Sequence, residues 1–230
     1  MSTKTAARPS PRRAPGPSGR WLWWGVAALL VVAVAVAVAV ASGGGDGKAT
    51  KHEVSPRVAV KGTALPASDA TGFGGGADPA LGKKAPTLRG ETFAGKPVTF
   101  GSSGKPRIVL FVFHGCPHCQ AEVPRLVALA KAGKLDGVEV QTVSTGTDSR
   151  YDNYPPSAWL EREHWPYPVL ADDARTLAAA AYGLQFYPYF VLVDADGNVV
   201  GRASGEVSDD VITRVVKALA DGNERPLAAA

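Results

Sequence analysis

Among its 230 residues the chain has two cysteines, one methionine and four histidines. The two cysteines, Cys116 and Cys119, stand three positions apart. A disulfide framework for a small secreted domain needs more cysteines, spread along the chain, so that class is excluded. The pair has to be explained by its chemistry. Acidic residues are missing from positions 1–20, which hold Lys4, Arg8, Arg12, Arg13 and Arg20. The chain totals +4, so the part beyond residue 20 carries −1 and is close to neutral. A near-neutral folded part argues against nucleic acid as a partner. No internal repeat is visible.

The sequence does contain a long apolar run. Trp21 to Ala41 is 21 consecutive apolar residues. As a helix it would reach about 31 Å, the hydrocarbon thickness of a bilayer. Trp21, Trp23 and Trp24 gather at one end, where amphipathic rings favour the membrane interface. The basic segment 1–20 predicts a cytoplasmic N-terminus and an exported remainder. Ala37-Val38-Ala39 and Ala39-Val40-Ala41 also fit a small-residue cleavage site, so a cleaved signal peptide is the competing reading. The run is longer than a usual signal core, which favours an anchor, and both readings export the rest of the chain. Residues 42–80 are rich in Gly, Ala, Ser, Asp and Pro and read as a flexible tether, with Val58 and Val60 on a short strand at most.

From about Leu81 to Gly222 the pattern is globular, and 223–230 reads as a tail. Pro97 to Phe100 predicts a short strand. Arg107 to Phe113, continuous and rich in β-branched and aromatic residues, predicts a buried central strand. A helix is expected from the cysteines to Lys131, with Val123, Leu126, Val127 and Leu129 on its apolar stripe. Next come a strand over Val138–Val143, a helix over Ser157–His164, a strand over Pro168–Leu170 and a helix over Asp173–Tyr182. Tyr189–Val193 and Asn198–Arg202 flank Asp194-Ala195-Asp196-Gly197, a hairpin signal. Ser208 is placed to cap a last helix. Strands alternating with helices make the class α/β.

Phe113-His114-Gly115-Cys116-Pro117-His118-Cys119 comes after a buried strand and opens a helix. The first turn of a helix offers unpaired N–H groups and partial positive charge, which stabilise a thiolate at Cys116. Pro117 suits the first helical position, where its missing N–H costs nothing. His118 is placed to give the Cys116 sulfur a hydrogen bond or a positive charge, which favours the reduced form and makes the disulfide more oxidising. The three-residue spacing sets Cys119 beside Cys116, ready to resolve a mixed disulfide. A c-type haem site would need His where Gln120 stands, and a zinc site would need a second Cys/His pair. No cofactor or metal is expected.

This segment resembles the thioredoxin-like superfamily, and within it the TlpA/ResA-like group related to the alkyl hydroperoxide reductase/thiol-specific antioxidant proteins. The resemblance runs from about Leu81 to Gly222. It rests on Gly82-Lys83-Lys84-Ala85-Pro86, Gly95-Lys96-Pro97-Val98, the strand into Cys116, Tyr182-Gly183-Leu184, and Tyr187-Pro188 with Tyr189 to Asp194 and Asp196-Gly197 after it. It implies a thioredoxin-like sheet flanked by helices, a cis-proline at Pro188 facing the cysteines, docking of an extended substrate chain by Tyr187 and Pro188, a helix-kinking proline at Pro124, and an acidic group near the site at Glu122. Two features depart from the group. Gly115 stands where members usually have Trp, and the Pro-His dipeptide is similar to DsbA-like oxidases. The 72 positions from Cys116 to Pro188 fit the smaller TlpA-type insertion rather than a DsbA-type helical one.

The expectation is a membrane-anchored thiol–disulfide oxidoreductase. It would exchange disulfides with exported proteins and be served by a membrane redox partner. The rivals are a copper metallochaperone presenting Cys116, Cys119 and a histidine, a thiol peroxidase, and a redox-inert interaction domain. Peroxidases of this superfamily carry Thr or Ser three residues before the reactive cysteine, where this chain has Phe113. His52 and His164 read as surface residues, and Trp159 and Trp165 as core or lid.

Overall fold

A computed structural model describes residues 51–68, 73 and 78–222. The expected span over 21–41 lies outside them. Among the described residues no helix is long and apolar enough to cross a membrane.

The sheet is organised around β4 (Arg107–Val112), in which every residue is buried. Its side chains alternate between two cores, as a pleated strand requires. Ile108, Leu110 and Val112 point to one cluster; Val109 and Phe111 point to the other. Burial on both faces is why this strand reads as continuous apolar sequence. β4 pairs in parallel with β5 (Glu139–Ser144) and antiparallel with β7 (Tyr189–Val193), which pairs antiparallel with β8 (Val199–Ser204). β6 (Val169–Ala171) lies parallel to β5 on its other side. β2 (Thr87–Glu91) joins β6 at one residue pair and carries β1 (Ala59–Lys61) and β3 (Pro97–Phe100) antiparallel. The strand order is β1-β2-β6-β5-β4-β7-β8, with β3 on β2. β2 is a strand the sequence does not predict, because Thr-Leu-Arg-Gly-Glu has one buried residue, Leu88, and no period.

Helices α1 (Pro117–Lys131) and α4 (Asp209–Ala220) cover the first cluster through Val123, Leu126, Leu129, Ile212, Val215, Val216 and Leu219. The short α3 (Leu177–Ala181) and Tyr182 cover the second. The helix expected from Asp173 is shortened to α3 because Thr176 adopts φ 54°, a left-handed conformation that no helix continues through. The acidic residues still act at its start. Asp173 accepts from the Leu177 N–H, and Asp172 accepts from those of Ala178 and Ala179. Ser208 occupies the cap position of α4, but its hydroxyl makes no capping bond, and Asp209 and Asp210 supply the favourable charge instead. In the β7–β8 turn, Asp194 accepts from the Asn198 backbone N–H at 2.7 Å, and Gly197 takes φ 91°.

The expected tether over 42–80 does not describe Lys51 to Ser68. Val58 and Leu65 are buried in the second cluster, Leu65 N–H bonds to Ala181 O, and Ser68 N–H to Gly183 O. Asp78 and the fully buried Arg202 form an ion pair. Glu53 holds the start of α2 (Pro156–Arg162) through the Ser157 N–H and hydroxyl. Glycine-rich composition hid these contacts, since their partners lie far downstream in the chain.

Candidate active site

Cys116 is the N-cap residue of α1, with Pro117 at the first helical position. Both thiols are free. Cys116 is partly exposed and Cys119 wholly buried. A hydrogen bond from the Cys119 thiol is the largest influence on the Cys116 sulfur. The N–H groups of Cys119 and His118 and the His118 charge add to it and overcome partial burial. Together they bring its pKa down to about 6, so the thiolate prevails at neutral pH. Burial drives Cys119 the opposite way, well above the usual thiol value, with the Cys116 sulfur and Glu122 adding to the rise. The Phe113 N–H donates to the Cys119 sulfur at 3.4 Å. Thus one helical turn holds a nucleophile and a protected thiol.

The Tyr187–Pro188 peptide bond is cis, and the Cys116 thiol faces the Tyr187 carbonyl at 3.9 Å. The β4–α1 and α3–β7 junctions therefore meet at Cys116 and Tyr187. Tyr187, Phe113 and Tyr151 make an aromatic cluster next to the Cys-x-x-Cys segment, with ring centroids 5.7 and 5.1 Å from Phe113, tilted and edge-on respectively. A Cβ at Gly115 would lie 2.5 Å from the Tyr151 Cβ and 2.7 Å from the Phe113 ring. Tyr151, about half exposed, thus occupies the space that a side chain at position 115 would need. Nothing in the sequence links these two positions, because their proximity depends on how the segment between β5 and α2 folds back.

His118 projects into solvent, and its Nδ1 lies 2.7 Å from Glu206 Oε1. That bond holds the imidazole above its ordinary pKa, with the Cys116 thiolate contributing. The ring makes no direct hydrogen bond to the sulfur, so its influence on Cys116 is through charge and its own backbone N–H. His114 is buried and structural: Nδ1 donates to Asp152 O at 2.7 Å, and Nε2 accepts from the Asp148 N–H at 3.3 Å. Both of its nitrogens are occupied. Among the described residues no three His, Cys, Asp or Glu side chains converge on a point suited to a metal ion.

Glu122, one turn beyond Cys119, is fully buried. Burial pushes its pKa up to about 7, although the Arg125 guanidinium lies 2.6 Å away. Burial prevails because Arg125 is one-third exposed and shares its charge with Asp209 and the Val207 carbonyl, each at 2.6 Å. Trp159 is core, and Trp165 packs at its edge, bonded to the Thr142 hydroxyl. Glu206, which no sequence motif singles out, joins the site from the segment after β8. It is 88 positions from His118.

A thioredoxin-like sheet that sets an asymmetric Cys-x-x-Cys at a helix start against a cis-proline defines the thiol–disulfide oxidoreductase class. The chain belongs to the Redoxin family, whose model matches residues 80–219. Among curated proteins it is similar to methylamine utilization protein MauD of Methylobacillus flagellatus, 31% identical over 127 residues, covering 54% of this chain and 57% of that one. It is also similar to the thiol:disulfide interchange protein HelX of Rhodobacter capsulatus, 30% identical over 146 residues, covering 61% and 77%. The chain thus spans little more than half of MauD and about three quarters of HelX. A protein of Neisseria meningitidis classed as a thioredoxin superposes with TM-score 0.50 at 24% identity, over 59% of this chain and 88% of that one, and bears on the fold alone.

Proposed function

We propose that the chain exchanges disulfides with exported proteins, with Cys116 as attacking and Cys119 as resolving residue. The observation that carries this reading is the opposite environment of the two sulfurs within one turn: one partly exposed and ionised near pH 6, the other buried and protonated. In the reducing direction the Cys116 thiolate attacks a substrate disulfide and expels one substrate sulfur as thiolate. A mixed disulfide results. Cys119 then loses its proton to Glu122 and attacks the Cys116 sulfur. The second substrate thiolate leaves, and the Cys116–Cys119 disulfide forms. Two electrons pass to the substrate, and the reverse sequence oxidises a substrate dithiol. Pro117 starts the helix without wasting an N–H, His118 supplies positive charge, and Tyr187 with Pro188 lays an extended substrate strand beside Cys116. A membrane redox partner resets the pair.

Insulin reduction by the dithiol chain, measured across pH, tests this. The rate of the first exchange step is expected to rise through a midpoint near pH 6, where the Cys116 thiolate forms. A rate rising only above pH 8, as for an ordinary thiol, or retained in Cys116→Ser, would reject the assignment.

The run over 21–41 supports a single-pass anchor with this domain on the extracytoplasmic side. The basic flank and the disulfide chemistry agree on the compartment. Protease added to intact cells is expected to digest the region after residue 42. Protection of that region while other proteins on the exported side of the same membrane are cut would overturn this topology.

A further inference from the structure

The segment between β8 and α4, Gly205 to Ser208, touches each part of the redox centre. The Gly205 N–H donates to the Pro188 carbonyl at 2.8 Å. Glu206 bonds the His118 ring at 2.7 Å. The Val207 carbonyl accepts from Arg125 at 2.6 Å, and its N–H lies 3.5 Å from the Glu122 carboxylate. The cis-proline loop, the Cys-x-x-Cys helix and the buried acid are thus tied by three consecutive residues.

We propose that Glu206 is a positioning residue of the redox centre, which holds the His118 ring on the active-site face and thereby sets the oxidising strength of the Cys116–Cys119 pair. This rests on the disulfide-exchange reading and adds to it a second determinant, outside the Cys-x-x-Cys motif. His118 is exposed at 67% of its side chain, so without a partner it would sample many rotamers and spend little time near the sulfur. The Glu206 carboxylate accepts from Nδ1 and fixes the ring. A carboxylate bonded to an imidazole also favours the charged form, as the direction of the His118 shift agrees. Positive charge beside Cys116 stabilises the thiolate, which exists only in the reduced state, and so raises the reduction potential.

The groups around His118 are few. Cys116 faces it from its own helix start, and Glu206 from the segment between β8 and α4. Glu122, Arg125 and Asp209 are bound mainly to one another and are not among the influences on the ring. The sulfur feels the His118 charge among its influences and not that of Glu206, whose carboxylate hydrogen-bonds the ring while its charge also reaches Glu122 and Arg125. Removing the carboxylate therefore costs the thiolate its cation rather than relieving a repulsion. Well below the ordinary histidine value the imidazolium is present with or without Glu206. It is absent in both cases at high pH. The part of the effect that Glu206 exerts through His118 protonation is confined to the window between the ordinary and the raised His118 pKa, whereas its hold on the ring persists below that window.

The test is the equilibrium of the full chain with reduced and oxidised glutathione, for wild type, Glu206→Gln, Glu206→Asp, His118→Ala and the Glu206→Gln/His118→Ala pair. At pH 7 Glu206→Gln is expected to shift the equilibrium constant about fivefold toward the disulfide, roughly 20 mV more reducing. Glu206→Asp should recover part of the shift. In the His118→Ala background the Glu206 change should add nothing, since both act through one ring. His118 ring NMR should show its titration midpoint falling in Glu206→Gln. An unchanged potential in Glu206→Gln, or an equal shift with and without His118, overturns the proposal while leaving disulfide exchange intact. Wild type that fails to equilibrate with glutathione at all would instead remove the exchange reading beneath it.

Discussion

Cys119→Ser is expected to accumulate covalent adducts with exported proteins, while Cys116→Ser accumulates almost none. The Cys116 sulfur is partly exposed and ionised near pH 6; the Cys119 sulfur is buried and protonated. Each variant retains one thiol, so the difference reports environment rather than cysteine count. Serine is the informative replacement at 119. The Cys119 hydrogen bond is the largest influence on the Cys116 sulfur, and a serine hydroxyl still donates. Alanine would remove that donor, raise the Cys116 pKa and slow attack for a second reason. The adducts should run as reducible bands on a non-reducing gel. A structural disulfide or a metal site predicts two similar mutants. Equal trapping by both variants, or by neither, defeats the assigned roles.

Glu122→Gln is expected to flatten the pH dependence of stability below neutrality. An acid whose pKa rises on folding binds its proton more tightly in the fold than in the unfolded chain. For Glu122 the rise is from 4.5 to about 7. Over that interval the native state holds more protons, so stability falls as pH increases, and above about 7 the loss is complete. At 1.36 kcal/mol per pKa unit the full effect is about 3 kcal/mol. Glutamine keeps the shape and cannot ionise, and Arg125 retains Asp209 and the Val207 carbonyl. Urea unfolding of the reduced chain at pH 4.5 and pH 8 gives the comparison. The wild type should lose up to about 3 kcal/mol more than the variant between those two values. Other titrating groups act in both proteins and cancel in the difference. Parallel pH profiles would mean that Glu122 stays ionised against Arg125 throughout.

The site is unevenly legible in the sequence. Cys116, Pro117, His118 and Cys119 are contiguous, and a buried strand running into a helix start is a local pattern. Pro188 is reached only through resemblance, since nothing local to Tyr187-Pro188 says that it faces a cysteine. Glu122 comes the same way, but its burial does not, because i+3 from Cys119 puts it on the cysteine face without saying what covers that face. Part of the cover is Val207, whose N–H faces the Glu122 carboxylate. Composition misplaces the tether boundary for a related reason. Gly and Ser content describes a segment's intrinsic freedom, and Val58, Leu65 and Glu53 lose that freedom to partners far along the chain.

What can be read from the order of residues alone is therefore whatever depends on neighbours in sequence. The apolar run after a basic flank, the two-faced burial of β4, the start of α1 and the chemistry of two cysteines three apart belong here. Folding alone settles whatever depends on which segments meet. Cys119 stays protonated because helices and sheet close over it, and Glu122 gains its proton affinity from the same closure. Gly115 has to be glycine beside Tyr151, and His118 turns to Glu206. The physical reason is range. Propensity, periodicity and helix-end charge act over one or two turns of chain. Desolvation and ion pairing act through space, and the contacts that set them here join residues as much as 88 positions apart around the redox pair.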